Sequence, residues 1–243
     1  MKALRACVMM SILHNCEAFG HLLPDKLETT YNKLIRTALQ VRTNTPALVL
    51  YIESGLLPIR ALVEARQYKF YKRFLSSLRP GSERRLVFDR LCNDPPKYLK
   101  HYMTLAEKYD SHQEIYNHHL DVLKAKIREN ASEGKPRFVV YLRNNPNLDP
   151  SPFLDSMHPL TTDIIRFRVG SHCLPIEIGR WCQKKKEERI CDDCGILGDE
   201  HHYLYDCPKI SRNDLNLDPD VSKIWSQPEV FQLIGRLKSL ELL

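Results

Sequence analysis

Apolar and polar positions recur with helical periodicity along most of this chain. Leu27, Tyr31, Leu34, Ile35, Ala38 and Leu39 follow spacings of three and four, which predicts a helix, with Asp25 and Glu28 as its N-terminal capping box. A second predicted helix follows Pro58. There Ile59, Leu62, Val63, Phe70, Phe74 and Leu78 form one apolar arc, Arg66, Lys69 and Arg73 lie beside it, and Pro80-Gly81 ends it. From about Ser111 to Asn130 the pattern turns Ile115, Leu120, Leu123 and Ile127 inward and His112, His118, Lys124 and Lys126 outward. A last helix, Pro228 to Leu240, carries Val230, Phe231, Leu233, Ile234 and Leu237. Phe138 to Leu142 is the one strand-like run, and it could equally begin a helix. The expected class is mainly α.

The clearest breaks are Pro95-Pro96 and the stretch from Asn144-Asn145-Pro146 to Pro152. They predict a helical region over 1–95, a helical connector over 96–150, a basic and metal-binding segment over 151–212, and a tail over 213–243 with one helix. A length of 243 residues, 43% of them hydrophobic and 27% charged, is that of one or two ordinary domains and excludes disordered and collagen-like chains. No stretch approaches the ~20 apolar residues that span a bilayer. The apolar run Ala6 to Leu13 is short and meets His14, Asn15 and Glu17 rather than a cleavage site, so it does not read as a signal peptide.

Thirty-six basic residues against thirty acidic give a formal charge of +6, a mild excess compatible with a nucleic-acid partner. Eight cysteines change the picture more, because three of them fall between Cys191 and Cys207. A disulfide framework is normally denser and shorter, so the cluster points to a metal site in a reducing compartment, nucleus or cytoplasm, and not to secretion. Cys191, Cys194, His202 and Cys207 form a C-x2-C-x7-H-x4-C pattern. A C-x2-C turn lets two thiolates converge on one Zn2+, and a histidine and a cysteine five positions apart close the tetrahedron. Spacing alone leaves His201 and Cys182 as rival ligands. Four protein ligands with no open position imply a structural site. Gly195 and Gly198 ease the path between its halves, and Tyr203-Leu204-Tyr205 offers a small core around the ion.

Just upstream, Arg166 to Arg189 holds seven bases against three acids. Arg166, Arg168, Arg180, Lys184, Lys185 and Lys186 are candidates for phosphate contact, with Phe167 and Trp181 as stacking platforms. The plainer alternative is a solvated charged face with the aromatics in the core. No catalytic residue is expected: His14, His21, His101 and His158 have no partner at motif spacing, and nothing beside His118-His119 supplies a nucleophile and base or paired carboxylates. No small-molecule substrate or membrane partner is indicated.

Arg166-x-Arg168-Val169-Gly170-Ser171-His172, Ile176-Glu177-x-Gly179-Arg180-Trp181, the Cys191 and Cys194 pair, Gly198-Asp199-Glu200-x-His202 and Cys207-Pro208 together resemble the C-terminal zinc-knuckle region of non-LTR (LINE-type) retrotransposon reverse transcriptases. More loosely, Glu17-Ala18-Phe19-Gly20, Leu34-Ile35-Arg36 and Glu53-x-Gly55-x-x-Pro58 are similar to the thumb that follows the polymerase palm in those proteins. The resemblance implies a thumb-like helical bundle followed by a small helical zinc-knuckle domain. It also implies a grip on RNA or DNA, with Cys191, Cys194, His202 and Cys207 as zinc ligands. Polymerase chemistry needs aspartates converging on two metal ions, one pair in an aromatic-x-Asp-Asp turn. The single Asp-Asp pair, Asp192-Asp193, lies inside the cysteine motif. The expectation is therefore a C-terminal fragment that binds nucleic acid without catalysis, or else an inert remnant or protein-interaction module with a structural metal.

Overall fold

The computed structural model describes residues 9–19 and 25–243. As expected, the protein is mainly α-helical. In chain order the helices are α1 (Met9–Ile12), α2 (Cys16–Phe19), α3 (Asp25–Leu39), α4 (Ala47–Ser54), α5 (Ile59–Ser77), α6 (Glu83–Asn93), α7 (Lys97–Lys108), α8 (His112–Ser132), α9 (Pro136–Asn144), α10 (Thr161–Arg168), α11 (Pro175–Trp181), α12 (Val221–Ile224) and α13 (Glu229–Ser239). Among the described residues the β content is one isolated antiparallel bridge, Ile190 to Leu197. In α3, Tyr31, Ile35 and Leu39 are buried, the i, i+4, i+8 row that the pattern predicts. The capping box expected at Asp25 rests on its side chain, which lies outside the described part of the residue.

The chain divides into two compact units, one holding residues 57–124 with the N-terminal segment, the other residues 33–56 and 125–243. In the first, α5 buries Ile59 and Val63 as expected, but its lower half corrects the predicted arc. Phe70 and Phe74 are 45% and 37% exposed, while Tyr68 and Tyr71 are buried. The reason is which side of α5 the neighbouring helices cover. Tyr68 sinks its ring among Leu105, Tyr109 and Ile115, and its hydroxyl donates to the Asp110 carbonyl, so its polar tip is satisfied in the core. Tyr71 packs with Leu78, Phe88, Leu99 and Tyr102. Phe70 and Phe74 are left against the edges of Tyr102 and Phe88. Ser82 caps α6 by accepting from the Arg85 amide. At α8 the Ser111 hydroxyl accepts from the Glu114 amide, and the Glu114 carboxylate accepts from the Asp110 amide. Ile115, Leu123 and Ile127 form the buried row of α8, with Leu120 half-buried.

In the second unit α4 buries Val49 to Ser54. Phe138 to Leu142, ambiguous in sequence, is helical within α9. Pro136 supplies a preset φ at the first turn, and Tyr141 points inward. The Asn144 to Pro152 stretch is a packed turn inside this unit. The Asn145 side chain bonds both the amide and the carbonyl of Asp149, Leu148 is fully buried, and the Ser151 amide donates to the Glu53 carbonyl. One apolar cluster joins Ile164 and Phe167 of α10, Leu174, Trp225, and Val230, Leu233, Ile234 and Leu237 of α13 to Cys191, Tyr203, Leu204 and Cys207. The last helix is therefore core to the cysteine-bearing region.

Candidate metal centre

Residues 189–198 form a tight hairpin. The Gly198 amide donates to the Arg189 carbonyl and the Cys191 amide to the Ile196 carbonyl, so the C-x2-C turn sits at its tip. Gly195, at φ +66°, occupies the left-handed conformation that closes this turn, where a Cβ is unfavourable. Gly198 is needed for space: a Cβ there would lie 2.8 Å from the Pro175 ring and 3.1 Å from the Cys191 nitrogen. The chain then enters a short π-helical turn, His202–Asp206, started by the Asp199 carboxylate accepting from the His202 amide at 3.0 Å. Cys207 follows directly, its amide donating to the His202 carbonyl.

This path brings the four expected ligands together. One donor atom from each of Cys191, Cys194, His202 and Cys207 lies within 4.8 Å of all the others. The Cys207 sulfur is 4.0 Å from that of Cys191 and 3.9 Å from that of Cys194. A tetrahedral ion with metal–sulfur bonds of about 2.3 Å sets its sulfurs roughly 3.8 Å apart, so these two sulfur pairs already stand near the spacing a metal needs. These cysteines are free thiols. The chemistry of the donors agrees: both ring nitrogens of His202 are buried with no nitrogen or oxygen partner and the ring faces the Cys191 sulfur, an arrangement that suits a ligand. Burial opposes ionising the Cys191 thiol, but the Tyr203 hydroxyl, the His202 ring and the backbone amides of Asp193 and Cys194 hold it at about 6. Burial and the neighbouring sulfurs push Cys194 up to about 12. Three thiolates this close do not form together without a cation among them, and a divalent ion supplies the missing charge. The two rivals fall away. His201 is exposed and faces the Asp206 carboxylate at 3.2 Å, and the exposed Cys182 is not in the cluster.

Comparison with protein-family models, curated proteins and solved structures finds no match. Arg212 donates to the carbonyls of Tyr203, Leu204, Cys207 and Ile210 at 2.7 to 2.9 Å, satisfying the carbonyl end of the π-helical turn. His172, fully buried, meets the Glu200 carboxylate at 3.1 Å and accepts from the Leu174 amide through Nδ1. Burial works against the Glu200 charge, but the His172 hydrogen bond outweighs it and keeps this carboxyl below its usual range. Glu53 receives Arg168 at 2.8 and 3.3 Å and the Tyr141 hydroxyl at 3.0 Å. Nothing in the pattern of the sequence singled out Arg212 or Trp225. For Glu53, Arg168, His172 and Glu200 the signal was their presence in the family-like runs.

The six basic candidates separate. Arg168 is 3% exposed and spent on Glu53, which corrects its expected place at a phosphate; a buried guanidinium serves the carboxylate it neutralises. Arg166 pairs with Asp163 at 3.4 Å, and Arg180 with Glu177. Lys184, Lys185 and Lys186 are exposed in the loop and turn before Arg189. Phe167 is not a stacking platform either. It is fully buried beside Trp225 and His172, and Trp181 is covered on one face by the Arg42 guanidinium at 3.5 Å. Among the described residues no helix is long and apolar enough to cross a membrane.

Proposed function

We propose that this chain is a zinc-stabilised nucleic-acid-binding region of the LINE-type reverse-transcriptase kind, binding RNA or DNA without catalysis of its own. The observation that carries the reading is the preassembled Cys191, Cys194, His202, Cys207 set next to the exposed lysines 184–186. Three thiolates and an imidazole select zinc over the hard cations, which prefer oxygen, and the closed set leaves no position for a substrate. Zinc analysis should give one ion per chain. Binding to RNA or DNA should weaken steeply with salt, by about 0.7 to 0.9 log units per phosphate contact for each log unit of salt. Charge reversal at Lys184, Lys185 and Lys186 should flatten that slope. Affinity indifferent to salt would sink the reading.

A second reading is a structural or protein-interaction module in which the metal only folds the C-terminal region. The observation favouring it is that Arg166, Arg168 and Arg180 are all committed to internal carboxylates. Unchanged nucleic-acid binding in the lysine-reversal variant, with folding intact, would select it.

A further inference from the structure

A groove of about 450 Å³ lies between α9 and the hairpin that carries the metal ligands. Three cations stand around it: Arg143 from the last turn of α9, and Lys186 and Arg189 from the segment entering the hairpin. None of the three has a carboxylate within ion-pair reach among the described residues. The Arg189 guanidinium donates only to the Lys184 carbonyl, at 2.7 and 3.1 Å. Two acids, Asp199 and Glu200, also border the groove. Glu200 holds His172, while Asp199 caps the His202 turn, a bond from a neutral amide that leaves its charge in place. A fourth base, Arg180, shares Glu177 with Arg137. Three unpaired cations against the one Asp199 charge leave the groove with an excess of positive charge beside the apolar side chains of Val139, Val140 and Leu197.

Resting on the nucleic-acid reading above, we infer that this groove takes one strand of single-stranded nucleic acid. Its phosphates lie on Arg143, Lys186 and Arg189, and a sugar or base lies on the valine and leucine floor. Glu187 and Glu188 are exposed beside Lys186 in the chain, and Glu188 is taken up by the Lys185 amide. What marks the groove is that its cations come from two separate elements, α9 and the segment entering the hairpin, and converge on one concavity that also offers apolar side chains. A double helix keeps its bases stacked inside, and its major groove alone is about 12 Å wide. It gains nothing from an apolar floor in a concavity of single-nucleotide scale. An unstacked strand exposes both the backbone charge and the apolar faces that such a site complements. One wall of the groove is the hairpin closed by Gly198 and Cys191, so the metal centre holds that wall in place.

The test uses the full zinc-loaded chain and the double variant Arg143→Ala/Lys186→Ala. Both side chains are exposed and unpaired, so their removal leaves folding and zinc content intact. Fluorescence anisotropy is followed with a labelled twelve-nucleotide single strand, as oligo-U and as oligo-dT, and with a twelve-base-pair duplex, across a salt series. The variant is expected to bind both single strands at least tenfold more weakly, with a salt slope lower by about 1.4, two contacts at about 0.7 each. Its duplex binding is expected to fall by less, because only Lys186 of the two belongs to the exposed lysine run that any nucleic acid would meet. If the wild-type chain binds single strands and the variant binds them equally well with the same slope, the groove is overturned while the nucleic-acid reading stands. Equal losses on single strand and duplex overturn the single-strand assignment. If the wild-type chain binds none of the probes, the groove falls together with the reading it rests on.

Discussion

The Glu53 carboxylate is the most heavily used side chain among the described residues that carry the family resemblance. It is fully buried, neutralised by Arg168 and hydrogen-bonded by Tyr141. Removing one member of such a pair strands a charge in a medium that solvates it poorly. Arg168→Ala should therefore cost about 3 to 5 kcal/mol, measured by denaturant unfolding against wild type, and a loss under 1 kcal/mol would show that the pair is not desolvated. Tyr141 adds a pH dependence. Burial, followed by the Glu53 charge, raises its hydroxyl well above the usual tyrosine range. A group whose folded pKa is raised stabilises while protonated, and that contribution fades as pH climbs past the unfolded value of about 10. Tyr141→Phe should cost about 1.5 to 3 kcal/mol at neutral pH, the worth of a hydrogen bond to a charged acceptor. The wild-type advantage should shrink steadily above pH 10, because only wild type keeps a proton there that the unfolded chain gives up. A gap independent of pH between 7 and 11 would contradict the assignment.

Among the elements, the hairpin and π-helical turn concentrate the most demanding local geometry. Ala at position 198 would have to displace the Pro175 ring, which cannot swing aside, or the Cys191 backbone. Gly198→Ala should lower stability by about 1 to 3 kcal/mol, the range for overpacking a tight contact, and weaken zinc retention in a chelator competition. His201→Ala should leave zinc stoichiometry at one and His202→Ala should not; the reverse result would exchange their roles. The ligand set was legible in the sequence because chelation forces a spacing, and the long helices because burial on one side forces a period. What was not legible follows the same logic. Phe70 and Tyr71 are adjacent and both large, so which of them is buried depends on where Phe88, Leu99 and Tyr102 of the neighbouring helices lie, information held by other elements. Arg168 and Lys184 are both bases in one stretch. Only Glu53, 115 positions away, separates a structural cation from a free one.

At the scale of the molecule, a metal held by the cysteine and histidine set would stabilise the same core as the C-terminal helix. Cys191 and Cys207 belong to the apolar cluster that contains Trp225 and the buried face of α13, so the ligands are not an isolated knuckle appended to a finished domain. A closed site of this kind contributes roughly 10 to 16 kcal/mol of apparent binding energy, and whole domains are stable by only about 5 to 15 kcal/mol. Chelation should therefore melt this entire core rather than fray the loop at 191–207. Trp225 reports it directly: it is 1% exposed, whereas Trp181 is 40% exposed and can be replaced by Phe to leave a single emitter. In that background a strong chelator should shift the emission to the red as Trp225 meets water, and added zinc should restore it. Hydrogen exchange divides the response by unit. Amides of α10 and α13 should lose protection together on chelation, while those of α5 and α7, whose cluster of Ala65, Tyr68, Leu105, Tyr109 and Ile115 contains no ligand, should keep theirs. Zinc loss with Trp225 emission unchanged would mean that the apolar cluster holds this core without the ion, and the metal would then be a local clasp.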